Sequence, residues 1–138
     1  KEYGVKTDVR CLSAHRAHKE LAEFIDEANH NGTEVFIAAA GMAAALPGVV
    51  ASQTVLPVIG VPISGSTLDG MDALLSIAQM PPGIPVATVA IDGSANAAYL
   101  AVQMLSLGDD SLYEKLVSLR AEMADEVKKK DAKVKAEF

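Results

Sequence analysis

The chain has 138 residues, half of them hydrophobic, only 4% aromatic and none tryptophan, which fits one domain with a closely packed aliphatic core and excludes disorder except at the C-terminus. Twelve Lys+Arg against eighteen Asp+Glu leave a net charge of −6, a field that repels polyanions and excludes nucleic acid as a partner. A small anion remains compatible with it, held locally by a helix N-terminus and one arginine.

In chain order, Lys1-Glu2-Tyr3-Gly4 reads as the end of a helix running into a turn; with no initiator methionine, the expectation is a fragment of a longer protein. No signal peptide is visible at Lys1, and prolines and glycines break the long stretch from Phe36 to Ile91 below membrane-spanning length, so a soluble chain without a membrane partner is expected. Thr7–Leu12 (TDVRCL) is rich in strand formers and predicts a strand, after which Ser13 stands where a helix cap accepts N–H bonds. Cys11, the single cysteine, rules out an intrachain disulfide and a multi-cysteine zinc site; it predicts a cytoplasmic protein and a small buried side chain.

From Lys19 to Asn29 the residues Leu21, Phe24, Ile25 and Ala28 recur at intervals of three and four and predict a helix, stopped by Asn31-Gly32. Glu34–Ala40 is a continuous apolar run, as in a parallel strand covered on both faces, and Gly41 ends it. Met42–Ser52 predicts a short helix interrupted by Pro47-Gly48, Leu56–Val61 a second buried strand, Leu68–Gln79 a helix and, after the break at Pro81-Pro82-Gly83, Ile84–Ile91 another strand. Ala95–Leu107 predicts an apolar helix, and beyond Gly108 a charged outer helix gives way to a polar tail. Alternating strands and helices imply an α/β domain with a mostly parallel sheet, residues 1–108 forming its body and 109–138 its terminal helix and tail.

In such a sheet the ligand crevice lies beyond the carboxyl ends of the strands. Three segments follow strand ends directly: Ser13-Ala14-His15-Arg16, the small-residue loop from Ala40 and Gly41 through Ala45, Leu46 and Pro47 to Gly48, and Pro62-Ile63-Ser64-Gly65-Ser66. The first joins a hydroxyl, an imidazole and a guanidinium at a helix start, a combination suited to a phosphorylated substrate; the alternative is that Ser13 caps and the other two decorate the first turn. The second is either a wall for a flat ring or close helix–sheet packing. His18 lacks further ligands at supporting spacing and reads as surface, and His30 as a helix-end contact. Asp69 and Asp72 either cap the following helix or line the crevice. Met71 and Met80 belong to the core or to a subunit contact, and Lys128–Lys130 to a solvated face.

Ser13-Ala14-His15-Arg16, the alanine/glycine loop ending Leu46-Pro47-Gly48, Leu56–Pro62, and above all Leu68–Thr88 with its Gln79-Met80-Pro81-Pro82-Gly83-Ile84-Pro85 resemble the catalytic subunit of phosphoribosylaminoimidazole carboxylase. This is the N5-carboxyaminoimidazole ribonucleotide mutase family of purine biosynthesis, and the likeness runs from about Tyr3 to Leu107. It implies a flavodoxin-like three-layer α/β/α sandwich, a homo-octamer with active sites at subunit junctions, and an imidazole ribonucleotide as substrate. It also implies a carboxylate moved from N5 to C4 without metal or organic cofactor. His15 would be the general acid/base; Ser13 and Arg16 would hold the 5′-phosphate, Ala14 the ribose or ring, and Gly41, Ala45, Leu46 and Pro47 would wall the imidazole and carboxylate, with Ser64 to Ser66 closing the crevice.

The family's first strand and its glycine/serine/aspartate loop find no counterpart here, which leaves a non-catalytic nucleotide-binding homologue as one alternative. Ala45 stands where the mutase pattern has a histidine before Leu-Pro-Gly, and a small residue there resembles the branch that carboxylates aminoimidazole ribonucleotide with free carbon dioxide, a lyase. The Leu-Pro-Gly and Gln-Met-Pro-Pro-Gly segments are mutase-like, so the mutase, an isomerase, is the expected activity and the carboxylase the other alternative.

Overall fold

A computed structural model describes residues 2–65 and 67–138, so Lys1 and the Ser66 expected at the crevice lie outside the described residues. The chain forms two compact units: residues 6–101, and a second built from the described residues up to Val5 together with Val102–Phe138.

The larger unit carries a parallel three-stranded sheet, β1 (Phe36–Gly41), β2 (Val58–Ile63) and β3 (Ala87–Thr88), in the order β1-β2-β3. Helix α1 (His18–His30) precedes β1, α2 (Ala45–Ala51) connects β1 to β2 and α3 (Met71–Ala78) connects β2 to β3. Helix α4 (Ser94–Leu105) follows β3. Strand and helix alternate as expected, and the fold is flavodoxin-like α/β.

Helix α1 buries the predicted stripe Leu21, Ile25 and Ala28, and Gly32 takes φ +87° to turn the chain out of it. The stripe packs with Phe36, Ala38, Val50, Ala51 and Val58 into one core cluster. Strand β2 is buried along nearly its whole length. On one face Gly60 lies so close to its neighbours that an added Cβ would strike Ile77 Cγ2 and come within 2.9 Å of Val86 Cγ1 and 3.4 Å of Pro47 Cβ. On the other face Ile59 and Val61 are fully buried. Gly48 does for α2 what Gly60 does for β2: a Cβ there would lie 3.2 Å from Met80 Sδ.

Several expectations are corrected. Thr7–Leu12 forms no strand among the described residues: Lys6–Cys11 is exposed, with Cys11 and Val9 open to solvent. Strand propensity expresses fit to a half-buried pleated surface, and this stretch has no neighbour to pair with. Strand β1 is not covered on both faces: Phe36 and Ala38 are buried in the core cluster, while Ile37 and Ala39 on the opposite face are exposed. Pro47-Gly48 does not interrupt α2, since Pro47 sits in the first turn, where its missing N–H has no intrahelical partner to lose. The paired part of the third strand shrinks to Ala87–Thr88. Neither Asp69 nor Asp72 caps α3 through its side chain; Gly70 is the N-cap residue, at φ +89°.

The smaller unit contains α5 (Asp110–Glu137), so the charged tail is helical almost to its end. Asp109 caps it by accepting from the backbone N–H groups of Ser111 (2.9 Å) and Leu112 (3.2 Å), and the Ser111 hydroxyl, which donates to it at 2.7 Å, and then the Leu112 N–H hold its carboxyl below the ordinary value of 3.8. Lys128–Asp125 at 2.9 Å and Lys135–Asp131 at 2.8 Å bridge successive turns, the spacing at which opposite charges support a solvated helix. No helix among the described residues is long and apolar enough to cross a membrane.

The close packing at Gly60 gives a direct test. Gly60→Ala should destabilise the protein by about 1–3 kcal/mol through overpacking, seen as a lower urea midpoint with an unchanged slope; an unaltered midpoint would show that β2, α3 and Val86 separate freely.

Candidate active site

Register sets the site. Because Gly41 pairs with Ile63, β1 and β2 end level, and the loops that follow them leave from the same edge of the sheet. The two backbones touch there: a Cβ on Gly41 would lie 3.2 Å from the Ile63 carbonyl oxygen.

Backbone strain collects at this edge. The four non-glycine residues with positive φ among the described ones are Met42 (53°), Ala44 (37°), Asp69 (51°) and Asp92 (57°). All lie in loops that follow β1, β2 or β3. Left-handed backbone at an alanine or methionine costs roughly 1–3 kcal/mol and persists where surrounding structure enforces it, characteristically at functional sites. The Met42–Ala44 turn, closed by the Ala44 N–H donating to the Gly41 carbonyl at 3.0 Å, delivers Ala45, Leu46 and Pro47 as the first turn of α2. Pro47 is buried and Leu46 packs on the core cluster; Ala45 is half-buried.

Ser13–Arg16 forms a turn ahead of α1 rather than its first turn. The Ser13 hydroxyl accepts from the Arg16 N–H at 3.2 Å and the Ser13 carbonyl from the Ala17 N–H at 2.9 Å. Ser13 therefore caps this turn, while α1 starts one step later behind Ala17 without a side-chain cap. Two contacts fasten the turn: Leu12 and Ala14 pack against the core cluster that Leu46 also joins, and the Arg10 guanidinium stands 5.3 Å over the Phe24 ring, a cation–π contact. With its flanks anchored, the turn presents His15 and Arg16 to solvent. Ala14 and Leu46, from two of the three predicted segments, thus rest on one cluster.

Ser64 follows β2 and is held from an unexpected direction. Its N–H donates to Asp92 Oδ1 at 3.0 Å and its hydroxyl to Asp92 Oδ2 at 2.6 Å. Asp92 is not among the residues singled out from the sequence, although Asp92-Gly93-Ser94 follows a predicted strand as the other three segments do, and that position is the signal that marks it. The Ser64 hydroxyl, then its N–H, lower the Asp92 carboxyl below the ordinary 3.8, since both bonds favour the ionised form.

The model of the AIR carboxylase family matches residues 1–126. The chain belongs to the AIR carboxylase family. Among its relatives, the N5-carboxyaminoimidazole ribonucleotide mutase of Methanocaldococcus jannaschii is 51% identical over 138 residues, covering 100% of this chain and 85% of that protein. The protein of the same name from Pyrococcus abyssi is 52% identical over 122 residues, 88% of this chain and 70% of that one. The crystal structure of Treponema denticola PurE superposes with a TM-score of 0.87 at 27% identity, covering 95% of this chain and 82% of that chain. In this AIR carboxylase family member the fold agrees with that expected from the sequence, apart from the strand expected at Thr7–Leu12.

The Ser64 bonds fix a pH response. A carboxyl lowered on folding contributes stability above its ordinary value of 3.8, and the contribution is lost as pH falls through the lowered folded value. Titration of the Asp92 carboxyl carbon by NMR should give a midpoint below 3.8, and Ser64→Ala should move it upward; a midpoint indifferent to that substitution would contradict the hydrogen bonds.

Proposed function

We propose that this protein is an N5-carboxyaminoimidazole ribonucleotide mutase, transferring the carboxylate from N5 to C4 of its substrate to give 4-carboxy-5-aminoimidazole ribonucleotide in purine biosynthesis. The observation that carries this reading is the 51% identity maintained over all 138 residues to a mutase of which they span 85%. It is supported by the position of Ser13–Arg16 and of Gly41–Pro47 in two anchored turns.

In this reading His15 protonates N5 as the bond from N5 to the carboxylate carbon breaks and carbon dioxide departs. C4 then attacks the same carbon dioxide, and the hydrogen C4 carried returns to His15, so the imidazole ends as it began and no net proton is consumed. An imidazole suits both directions of transfer near neutral pH. Arg16, with the Ser13 turn, holds the 5′-phosphate, Ala14 lies against the ribose or ring, and Gly41, Ala45, Leu46 and Pro47 form an aliphatic wall. Ser64 closes the far side of the crevice.

Recapture of a small neutral molecule depends on proximity and on exclusion of water. His15 and Arg16 are exposed in the single chain, and a homo-octamer with active sites at subunit junctions supplies the cover they lack. Aliphatic surface such as Ile37, Met71 and Leu75, each about half exposed, supports assembly. A cytoplasmic location belongs to the same reading. So does one catalytic domain made of residues 1–108 with the helix of 109–138, supported by a family match that reaches into both parts.

Offered N5-carboxyaminoimidazole ribonucleotide in one assay and aminoimidazole ribonucleotide with bicarbonate in another, the protein should form product from the first. Product chiefly from the second would assign the direct carboxylase, with the small side chain of Ala45 as its mark, and silence in both would leave a non-catalytic homologue. His15→Asn should retain the fold and most of the ligand affinity while turnover falls roughly 10²- to 10⁴-fold, the usual contribution of a positioned general acid/base; undiminished turnover would remove His15 from that role.

A further inference from the structure

The backbone beyond β3 carries an extra residue. The Val89 N–H donates to the Gly60 carbonyl at 3.1 Å, and two residues further along β2 the Pro62 carbonyl accepts from Asp92 at 2.8 Å rather than from Ile91. Three residues on one side therefore span two on the other, which is a bulge. Bulges re-aim side chains, and this one places Asp92 at φ +57°, a conformation that aspartate and asparagine tolerate better than most residues.

Its carboxylate consequently turns back across the sheet edge and takes both donors of Ser64, at 3.0 and 2.6 Å. Ser64 is bonded directly to Ile63, whose carbonyl oxygen lies so near Gly41 that a Cβ added there would stand 3.2 Å from it, a tight contact. On its other side, Gly70 packs so near that its own Cβ would lie 3.2 Å from Ser64 Cα and 2.8 Å from Ile91 Cγ2. The end of β1 thus meets Ile63, the loops after β2 and β3 meet at Ser64, and Asp92 accepts from both the N–H and the hydroxyl of Ser64.

We propose that Asp92 is a positioning residue: by clamping Ser64 it fixes the Ile63 carbonyl against Gly41 and so sets the spacing between the wall after β1 and the loop after β2 in the substrate crevice. The inference deepens the mutase reading and rests on it for its kinetic consequence, while the clamp itself is readable without turnover. An ionised carboxylate that accepts two bonds serves here in a way that an amide cannot, because an asparagine side chain presents one acceptor and one donor.

Asp92→Asn, which keeps size and tolerance for the left-handed backbone, should raise KM for N5-carboxyaminoimidazole ribonucleotide about tenfold, as expected for loss of a charge-assisted hydrogen bond. The value of kcat should change less than about twofold, and the melting temperature should fall only by the small amount that an exposed charged contact contributes. Ser64→Ala should have a comparable effect, and the double variant should be no worse than either single one, the mark of residues acting through one contact. Backbone NMR provides the arm independent of reaction: both single variants should shift the Gly41 and Ile63 amide resonances in the same direction.

Unchanged amide resonances in Asp92→Asn would overturn the proposal, as would additive effects of the two substitutions or a KM change that merely tracks loss of melting temperature. If the unsubstituted protein turns over neither ribonucleotide, the mutase reading fails while the amide shifts still decide whether the clamp exists.

Discussion

The fold depends on a missing side chain. Gly60 lies at the middle of the central strand, and the space its Cβ would occupy is taken by Ile77 of α3, Val86 ahead of β3 and Pro47 of α2. Interiors pack at crystal density, so the position of one backbone segment limits the rest. Here it determines how closely both crossover helices approach the sheet. Pro47 has two roles in consequence: it is part of the packing over Gly60 and part of the first turn of α2, which carries the predicted substrate wall. The depth of the core and the position of the wall are therefore one adjustment.

A second constraint acts at the strand ends. With Gly41 level with Ile63, there is no sheet left beyond either residue to satisfy the backbone, and the chain must turn at once. It does so in left-handed conformations at Met42, Ala44 and Asp69, and Asp92 adopts the same region after β3. Small residues at 43–45 let the turn remain tight, and the burial of Ala44 against Ala73 and Ile77 holds it in place. The strain is thus opposed by apolar burial after β1 and by hydrogen bonds after β3. The difference matters chemically, because the first device leaves an aliphatic wall suited to a neutral molecule and the second places a charge where it is occupied by Ser64.

Most of this was legible as pattern. The stripe Leu21, Ile25 and Ala28 located α1 to within a residue at each end, and alternation of apolar runs with glycine-marked turns gave the parallel α/β class. Gly41–Pro47 and Ser64 do follow strand ends, while Ser13–Arg16 stood out by residue type alone, since no strand precedes it among the described residues. What the sequence hid were relations between distant residues. Thr7–Leu12 has strand composition, but pairing needs a neighbour that composition does not reveal. Pro47-Gly48 looked like a break because a proline's effect depends on its distance from the helix start, which only the left-handed turn at Ala44 fixes. Cys11 looked buried because its neighbours are apolar, yet an unpaired segment shields nothing. Asp92 was invisible as a partner of Ser64, since 28 residues separate them and a bulge, not a motif, brings them together.

Ala45 shows how the two sources of information complement each other. By residue type its absent imidazole points away from the mutase pattern; in the structure it is a half-buried residue opening α2, next to Ala44, which is buried. A larger polar side chain at 45 would project from a turn already constrained by the left-handed Ala44, and its direction would be set by that turn rather than by its own rotamers. In the proposed function the wall would hold carbon dioxide by shape alone, because the molecule is neutral and its recapture depends on confinement more than on attraction. In the proposed mechanism the proton carrier is His15, on a turn anchored by Ala14 and Leu12 on the core and by Arg10 on Phe24. On that proposal a single imidazole suffices, because the proton given to nitrogen is recovered from carbon.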